Sequence, residues 1–173
     1  MTAANEPILL SQDRGQGIIH LTMNRPKAFN SLSSELMSAM QSVLDQARDN
    51  SSIRLIIIEG SGPGFSSGHD LREVTSFSTT KQRRHLMEQC SKLMLSVVHC
   101  PKPIIAKVHG VAAAAGCQLV ASCDLAVSTD DAKFLTPGVN IGLFCSTPMV
   151  ALSRNITRKH AMEMLLTGEA MDA

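Results

Sequence analysis

Two short stretches of this chain are suited to presenting bare backbone amides to a ligand. One is Phe65-Ser66-Ser67-Gly68-His69-Asp70-Leu71. The other is Gly110-Val111-Ala112-Ala113-Ala114-Ala115-Gly116-Cys117-Gln118-Leu119, soon followed by Cys123-Asp124. Each follows an apolar run that reads as a strand. Residues with little or no side chain let an N–H approach a ligand closely. Two converging amides can hold a carbonyl oxygen as it gains negative charge. Close packing alone also produces such turns. Their place after successive strands favours a ligand, because α/β sheets bind ligands at the carboxyl ends of parallel strands.

The rest of the composition narrows the field. The 173 residues suffice for one domain with a sizeable core. Apolar content of 44% and a formal charge of +1 fit a globular protein with no polyanion-binding surface. Trp and Tyr are absent, which removes stacking platforms for bases and any tyrosine acid or base. Nucleic-acid binding is therefore not expected. The ten methionines read as core filler. Cys90, Cys100, Cys117, Cys123 and Cys145 show no C-x-x-C spacing and read as free thiols in a reducing compartment. The six histidines include no H-x-x-x-H pair, so no metal site is expected. Residues 1–7 carry neither a basic segment nor a long apolar run, so no targeting peptide is expected there, nor a membrane span anywhere in the chain.

Alternating strands and helices must position the two turns. Residues 8–12 and 18–23 read as strands of a hairpin joined through Asp13-Arg14-Gly15-Gln16-Gly17. Residues 24–30 form a loop. Ser33 or Ser34 caps a helix whose apolar face is Leu36, Met40, Val43, Leu44 and Ala47. Residues 55–58 form a continuous apolar run expected to be covered on both sides. A second helix carries Leu86, Cys90, Leu93, Met94 and Val97 and stops before Pro101. Residues 103–108 and 125–128 read as further strands, the latter buried. Residues 161–166 form a helix closed by Gly168. The pattern predicts an α/β fold with right-handed parallel crossovers.

The chain resembles the crotonase (enoyl-CoA hydratase/isomerase) superfamily in nearly its whole length and in family order. The segments that carry the resemblance are residues 18–32, 65–71, Pro101-Lys102-Pro103-Ile104-Ile105-Ala106, residues 110–124 and residues 161–168. The resemblance implies a crotonase-like spiral of ββα units in a single domain over residues 1–173, stopping about where a C-terminal helical segment would begin. Such a chain on its own is expected to expose apolar surface. It implies an acyl-CoA or enoyl-CoA thioester as ligand, with coenzyme A entering as part of the substrate and no permanently bound cofactor. It further implies a homotrimer or dimer of trimers, cytoplasmic in a bacterium or in the mitochondrial matrix of a eukaryote. By position, the N–H groups of His69 and Ala115 form the oxyanion hole, at the start of a helix near Gly116. Lys27 and Ala28 fall in the loop that contacts the adenosine part of CoA, Arg72 lies where a basic residue sits beside the CoA, and Ser67, Asp70 and Leu71 are further substrate-binding positions. For Lys27 and Arg72, a solvated surface charge is an equal reading.

The resemblance also exposes a departure. The hydratases move protons with two glutamates. At those positions this chain has Gln118 and Gly138, at the family's spacing. A glutamine amide accepts no proton near neutral pH, and glycine offers no group at all. Hydratase activity is therefore expected to be weak or altered, and glutamate at both positions is expected to restore it. Other acids or bases by position are His69, Cys145 and Ser146. The main rival is a non-catalytic acyl-CoA-binding or regulatory protein. A minor one is a serine hydrolase, since Gly64-Phe65-Ser66-Ser67-Gly68 matches G-x-S-x-G and Asp124 or Asp130 and His160 follow in order. The long connection from the strand at residues 55–58 speaks against a nucleophile elbow. RNA binding lacks its footprint, because residues 33–49 hold no Lys and only Arg48.

Overall fold

The structure, a computed structural model, describes residues 6–173. Most of the targeting-peptide reading, on residues 1–5, lies outside them. Strands β1 (Leu9–Asp13) and β2 (Ile18–Met23) form the expected antiparallel hairpin. The turn closes with Asp13 Oδ1 accepting from Gly15 N–H at 2.7 Å. After helix α1 (Ser34–Asp49), strand β3 (Leu55–Gly60) pairs parallel with β2. Helices α2 (Leu71–Ser76) and α3 (Thr80–Val98) lead to β4 (Ile104–Val108), parallel to β3. Strand β5 (Val111–Ala113) and helix α4 (Ala115–Ser122) then lead to β6 (Leu125–Ser128), parallel to β4. The five-stranded order is β1-β2-β3-β4-β6. A smaller sheet joins β5 to β7 (Lys133–Leu135) and β8 (Met171–Asp172), with α5 (Ser146–Asn155) and α6 (Arg158–Thr167) between β7 and β8.

Local chemistry sets the helix limits. Ser33 Oγ accepts from Leu36 N–H at 3.2 Å to cap α1, and Glu35 faces the positive end of its dipole. Thr79 and Gln82 form a capping box at α3. The buried face of α1 is Leu36, Met37, Met40, Leu44 and Ala47; Met37 takes the inward place expected of Val43, which is half-buried. The α3 face matches the expectation. These two faces cover one side of the large sheet, where Leu21, Met23, Ile56, Ile58, Ile104 and Ala106 are fully buried. Burial of such side chains contributes about 1.5–3 kcal/mol each.

Two burial expectations are corrected. Strand β3 is covered on one side only: Ile56 and Ile58 are buried, while Leu55, Ile57 and Glu59 are half-buried. Its open side takes a polar ladder, with Glu59 accepting from Lys107 Nζ at 2.8 Å and from Thr22 Oγ1 at 3.0 Å. Strand β6 is not buried. Among the described residues it pairs only with β4, and Leu125 and Val127 are 61% and 62% exposed. Apolar composition alone does not distinguish an edge strand from a central one. Ile141 and Leu143 are likewise exposed, as expected of apolar surface in this chain. Helices α2 and α5 and the small sheet had no clear sequence signal: each is short, and the small sheet exists only through pairing of segments distant in sequence.

Candidate functional site

The site is built from three loops that a buried asparagine and two glycine contacts hold together. A 3-10 turn at Pro26–Ala28 ends in Phe29 and Asn30, both with φ of 50°. Asn30 is fully buried. Its Nδ2 donates to the carbonyls of Ser61 (2.8 Å) and Gly64 (2.9 Å), and its Oδ1 accepts from Arg25 N–H at 2.9 Å. Asparagine tolerates the left-handed region and satisfies three backbone groups here. The turn therefore carries Lys27, exposed, and Ala28, half-buried, at a fixed place beside the second loop. Ser67 N–H donates to Phe29 O at 3.0 Å across that junction.

The second loop runs against the alanine-rich turn. Ser66 N–H donates to Val111 O at 3.1 Å, and Ala113 N–H donates to Ser66 O at 2.8 Å. Gly68 has φ of 91°, and a Cβ there would lie 2.9 Å from Ala114 Cβ and 3.1 Å from Ala115 N. A Cβ on Gly116 would fall on the Ser66 carbonyl oxygen and 2.8 Å from Ser66 Cβ. Only glycine allows both approaches. With standard bond lengths, the 3.1 Å approach keeps His69 N within about 7 Å of Ala115 N. One oxygen accepting from both amides at about 3 Å spans up to about 6 Å, so the separation is of the right order. Neither amide donates a hydrogen bond to another described residue. Ala115 opens α4, as expected within one residue, and its N–H carries the positive end of that dipole. Ala114, just before it, holds φ 48° and ψ −118°, a backbone conformation rare outside glycine.

The side chains around the amides differ in availability. The His69 ring is half-buried, and its Nδ1 has no hydrogen-bond partner among the described residues. Burial lowers its pKa below the ordinary histidine value, against smaller opposing effects of the Leu32 backbone and the Glu73 carboxylate. The ring is neutral at neutral pH. Asp70 is committed to structure. Its Oδ1 accepts from Arg72 and Glu73 N–H at the start of α2, and its Oδ2 pairs with Arg25 Nη2 at 2.7 Å. Burial acts to raise its pKa, but Arg25 and the capped amides together hold it below the usual carboxylate range. Leu71 is 64% exposed, and Ser67 and Arg72 are exposed. Arg72 and Lys27 make no ion pair among the described residues.

Gln118 lies one turn beyond Ala115 on α4, and Gly138 lies in a separate turn. Gln118 is 7% exposed, and its Oε1 has no partner among the described residues. It lines a cavity of about 630 Å³ between α3, α4 and α5, with Met94, Val98, Thr147 and Val150. Gly138 lies in a 3-10 turn at Pro137–Ile141, and its φ is not positive. The obstacle to a side chain there is space. A Cβ would fall on the Leu143 carbonyl oxygen and 2.8 Å from Cys145 Sγ. The expected restoration by glutamate at both positions is thus blocked at Gly138. Cys145 shares an apolar cluster with Cys117, whose thiol burial and the neighbouring Cys145 push up to about 12. A second cavity, of about 540 Å³, opens between α4, α5 and β6; Asp124 and His160 of the serine-hydrolase reading line it, but neither Ser66 nor any residue of the thioester reading does.

Ser66 is not a nucleophile. It is 1% exposed, its Oγ donates to Asn30 O at 2.9 Å and accepts from Gly68 N–H at 3.3 Å, and it lies in a bridge to Ala112 rather than at a strand-to-helix elbow. Sequence reasoning missed Asn30, the Arg25–Asp70 pair and the strained Ala114. An asparagine in a turn is the one signal that pointed to any of them.

With this geometry in view, comparison with known proteins is informative. The profile of the enoyl-CoA hydratase/isomerase family matches residues 13–173. The chain is 47% identical to human enoyl-CoA hydratase domain-containing protein 3, mitochondrial, over 98% of this chain and 56% of the relative. It is 36% identical to a probable enoyl-CoA hydratase of Bacillus subtilis, over 89% of this chain and 60% of the relative. The chain thus spans somewhat more than half the length of these relatives. The crystal structure of an enoyl-CoA hydratase of Mycobacterium smegmatis superimposes with a TM-score of 0.94 at 48% identity, covering 97% of this chain and 65% of that one. The human domain-containing protein 3 gives 0.92 at 46%, covering 96% and 66%. The spiral of parallel strands and amide turns is the crotonase fold, and the chain belongs to the enoyl-CoA hydratase/isomerase family.

Proposed function

We propose that the chain forms the core of a protein that binds acyl-CoA or enoyl-CoA thioesters and polarises the thioester carbonyl between the N–H groups of His69 and Ala115. The observation that carries this reading is the approach of Gly68 to Ala115 N, which brings two uncommitted amides within about 7 Å at the start of α4. Lys27 and Arg72, both exposed cations with no ion-pair partner among the described residues, would meet the CoA phosphates, with Ala28, Ser67 and Leu71 beside them. Coenzyme A enters only as part of the substrate. The whole protein is a homotrimer or dimer of trimers on this reading. It works in a compartment that handles acyl-CoA: the matrix of mitochondria, the vertebrate relatives being named as mitochondrial, or bacterial cytoplasm.

Without carboxylates at Gln118 and Gly138, hydration lacks its proton movers. An oxyanion donor contributes about 10²–10³-fold, and each positioned acid or base another ~10²–10⁴-fold. The protein should bind butyryl-CoA yet hydrate crotonyl-CoA slowly. Gln118→Glu, which is isosteric, should raise hydration about 10²-fold. Titration calorimetry and absorbance at the enoyl thioester band read both. Failure to bind butyryl-CoA would refute the ligand class. Brisk hydration by the unmodified protein would refute the account of the missing carboxylates. Binding with no turnover of any thioester would favour the non-catalytic reading.

A further inference from the structure

Helix α3 packs one face into the core and leaves another open. Leu86, Cys90, Leu93, Met94 and Val97 are buried in the core, while Met87 and Leu95 are exposed. Lys81, Arg83, Arg84 and Lys92 against Glu88, four cations to one acid, give α3 a net charge of +3; the whole chain carries +1. A groove of about 570 Å³ runs along the open face, and Arg48 from the last turn of α1 also lines it. We propose that this groove docks an acidic amphipathic helix of a partner protein. The thioester reading neither requires the groove nor shares a residue with it.

Residues four apart on a helix form ridges, and a second helix packs its own ridge into the groove between two of them. Here one ridge carries Met87 and Leu95 with the small Ser91 between them, and the next carries Arg84, Glu88 and Lys92. The small serine lets a partner's apolar side chains reach the floor beside Met87 and Leu95, and an unbranched Met adapts to them. From Arg84 to His99 the groove is about 22 Å long, which a helix of about 15 residues spans. Arg48, Arg84 and Lys92 make no ion pair among the described residues, so each is available to a carboxylate. Glu88 lies between Arg84 and Lys92. The complementary helix is therefore acidic at its two ends and neutral opposite Glu88, and that pattern fixes its register.

Other anionic partners fit the groove less well. A bilayer surface takes up a broad apolar face, and the groove offers two exposed apolar side chains, Met87 and Leu95. A single nucleic-acid strand stacks its bases on aromatic side chains; the groove has none, and Glu88 would face the phosphates. A second copy of this chain would have to supply the acidic helix. Its α1 bears Glu35, Asp45 and Asp49 against Arg48, but exposes no apolar side chain to set beside Met87 and Leu95.

The test uses the full-length protein and a fluorescein-labelled probe helix of about 16 residues, with leucines along one face, glutamates at both ends and alanines between. The same peptide with lysines for glutamates is the control, and fluorescence anisotropy reads both affinities. The glutamate helix should bind at least about tenfold more tightly than the lysine helix at low ionic strength, with the gap narrowing as salt screens the charges. Arg84→Glu combined with Lys92→Glu should weaken its binding about tenfold or more, because each reversal turns an attraction into a repulsion. Met87→Asp should weaken it too, with far-UV circular dichroism and butyryl-CoA affinity unchanged. No binding of the glutamate helix, or equal binding by the folded double variant, would overturn the proposal. So would tighter binding to phosphatidylserine vesicles that the double variant loses, which makes the groove a membrane surface. A lower mass of the double variant by light scattering would overturn it in favour of an interface between copies. Butyryl-CoA binding is a separate measurement, so failure of either reading leaves the other standing.

Discussion

Gly138, the position where the resemblance expects a second carboxylate, offers the sharpest test of whether this turn has space for a side chain. At a glycine with ordinary φ, alanine usually stabilises a protein by about 0.4–1 kcal/mol, because it restricts the unfolded chain. Here the added Cβ meets the Leu143 carbonyl and lies 2.8 Å from Cys145 Sγ. The sulfur belongs to a short side chain packed with Cys117, and the carbonyl to backbone, so neither yields freely. Overpacking of this kind costs about 1–3 kcal/mol. The net expectation for Gly138→Ala is a loss of about 1–2 kcal/mol, or roughly 2–8 °C in Tm for a protein of this size. Cys145→Ala in the same chain should recover part of the loss and not all of it, since the Leu143 carbonyl remains. Differential scanning calorimetry of the full-length protein measures both. The sign decides: a Tm at or above that of the parent would mean that the turn accepts a side chain and that glycine at 138 reflects chemistry alone.

Three further outcomes are expected. Ala114→Gly should raise stability by about 1 kcal/mol, because relief of 1–3 kcal/mol of backbone strain exceeds the added unfolded-state entropy; a lower urea midpoint for the variant would show the φ of 48° to be unstrained. The depressed pKa of Asp70 gives stability that is present above its ordinary value of 3.8 and is lost as pH falls through the lower folded-state value. Asp70→Asn should therefore cost about 1–2 kcal/mol at pH 7 and flatten the acid limb of urea midpoints taken from pH 7 to 3; a limb of unchanged slope counts against the Arg25 pairing. Arg72→Ala should weaken butyryl-CoA binding a few-fold at low ionic strength, with the difference shrinking at high salt as screening removes the phosphate contact. Equal affinity and equal salt dependence would leave Arg72 as a surface charge.

The sequence by itself determined the α/β class, the helix faces and the position of the two amide turns. These depend on local periodicity, caps and small residues, whose effects act within a few positions along the chain. Leu86, Cys90, Leu93 and Met94 face inward because their spacing matches the helical repeat. Gln118 and Gly138 were legible as departures for the same reason: they are substitutions at fixed places in a pattern. The tertiary structure alone decided what depends on neighbours remote in sequence. Leu125 and Val127 read as core but lie on an edge strand, because no segment pairs beyond β6 among the described residues. Asp70 read as a ligand contact but is bound to Arg25, 45 residues away. Ser66 matched a nucleophile motif but is buried against Asn30, 36 residues away. Gly138 read as a lost acid, and only the approach of Leu143 and Cys145 shows that the loop has closed over the space where a side chain would stand. Local pattern specifies which residues can meet a ligand; steric space and hydrogen-bond commitment, which need the folded chain, determine which of them remain free to do so.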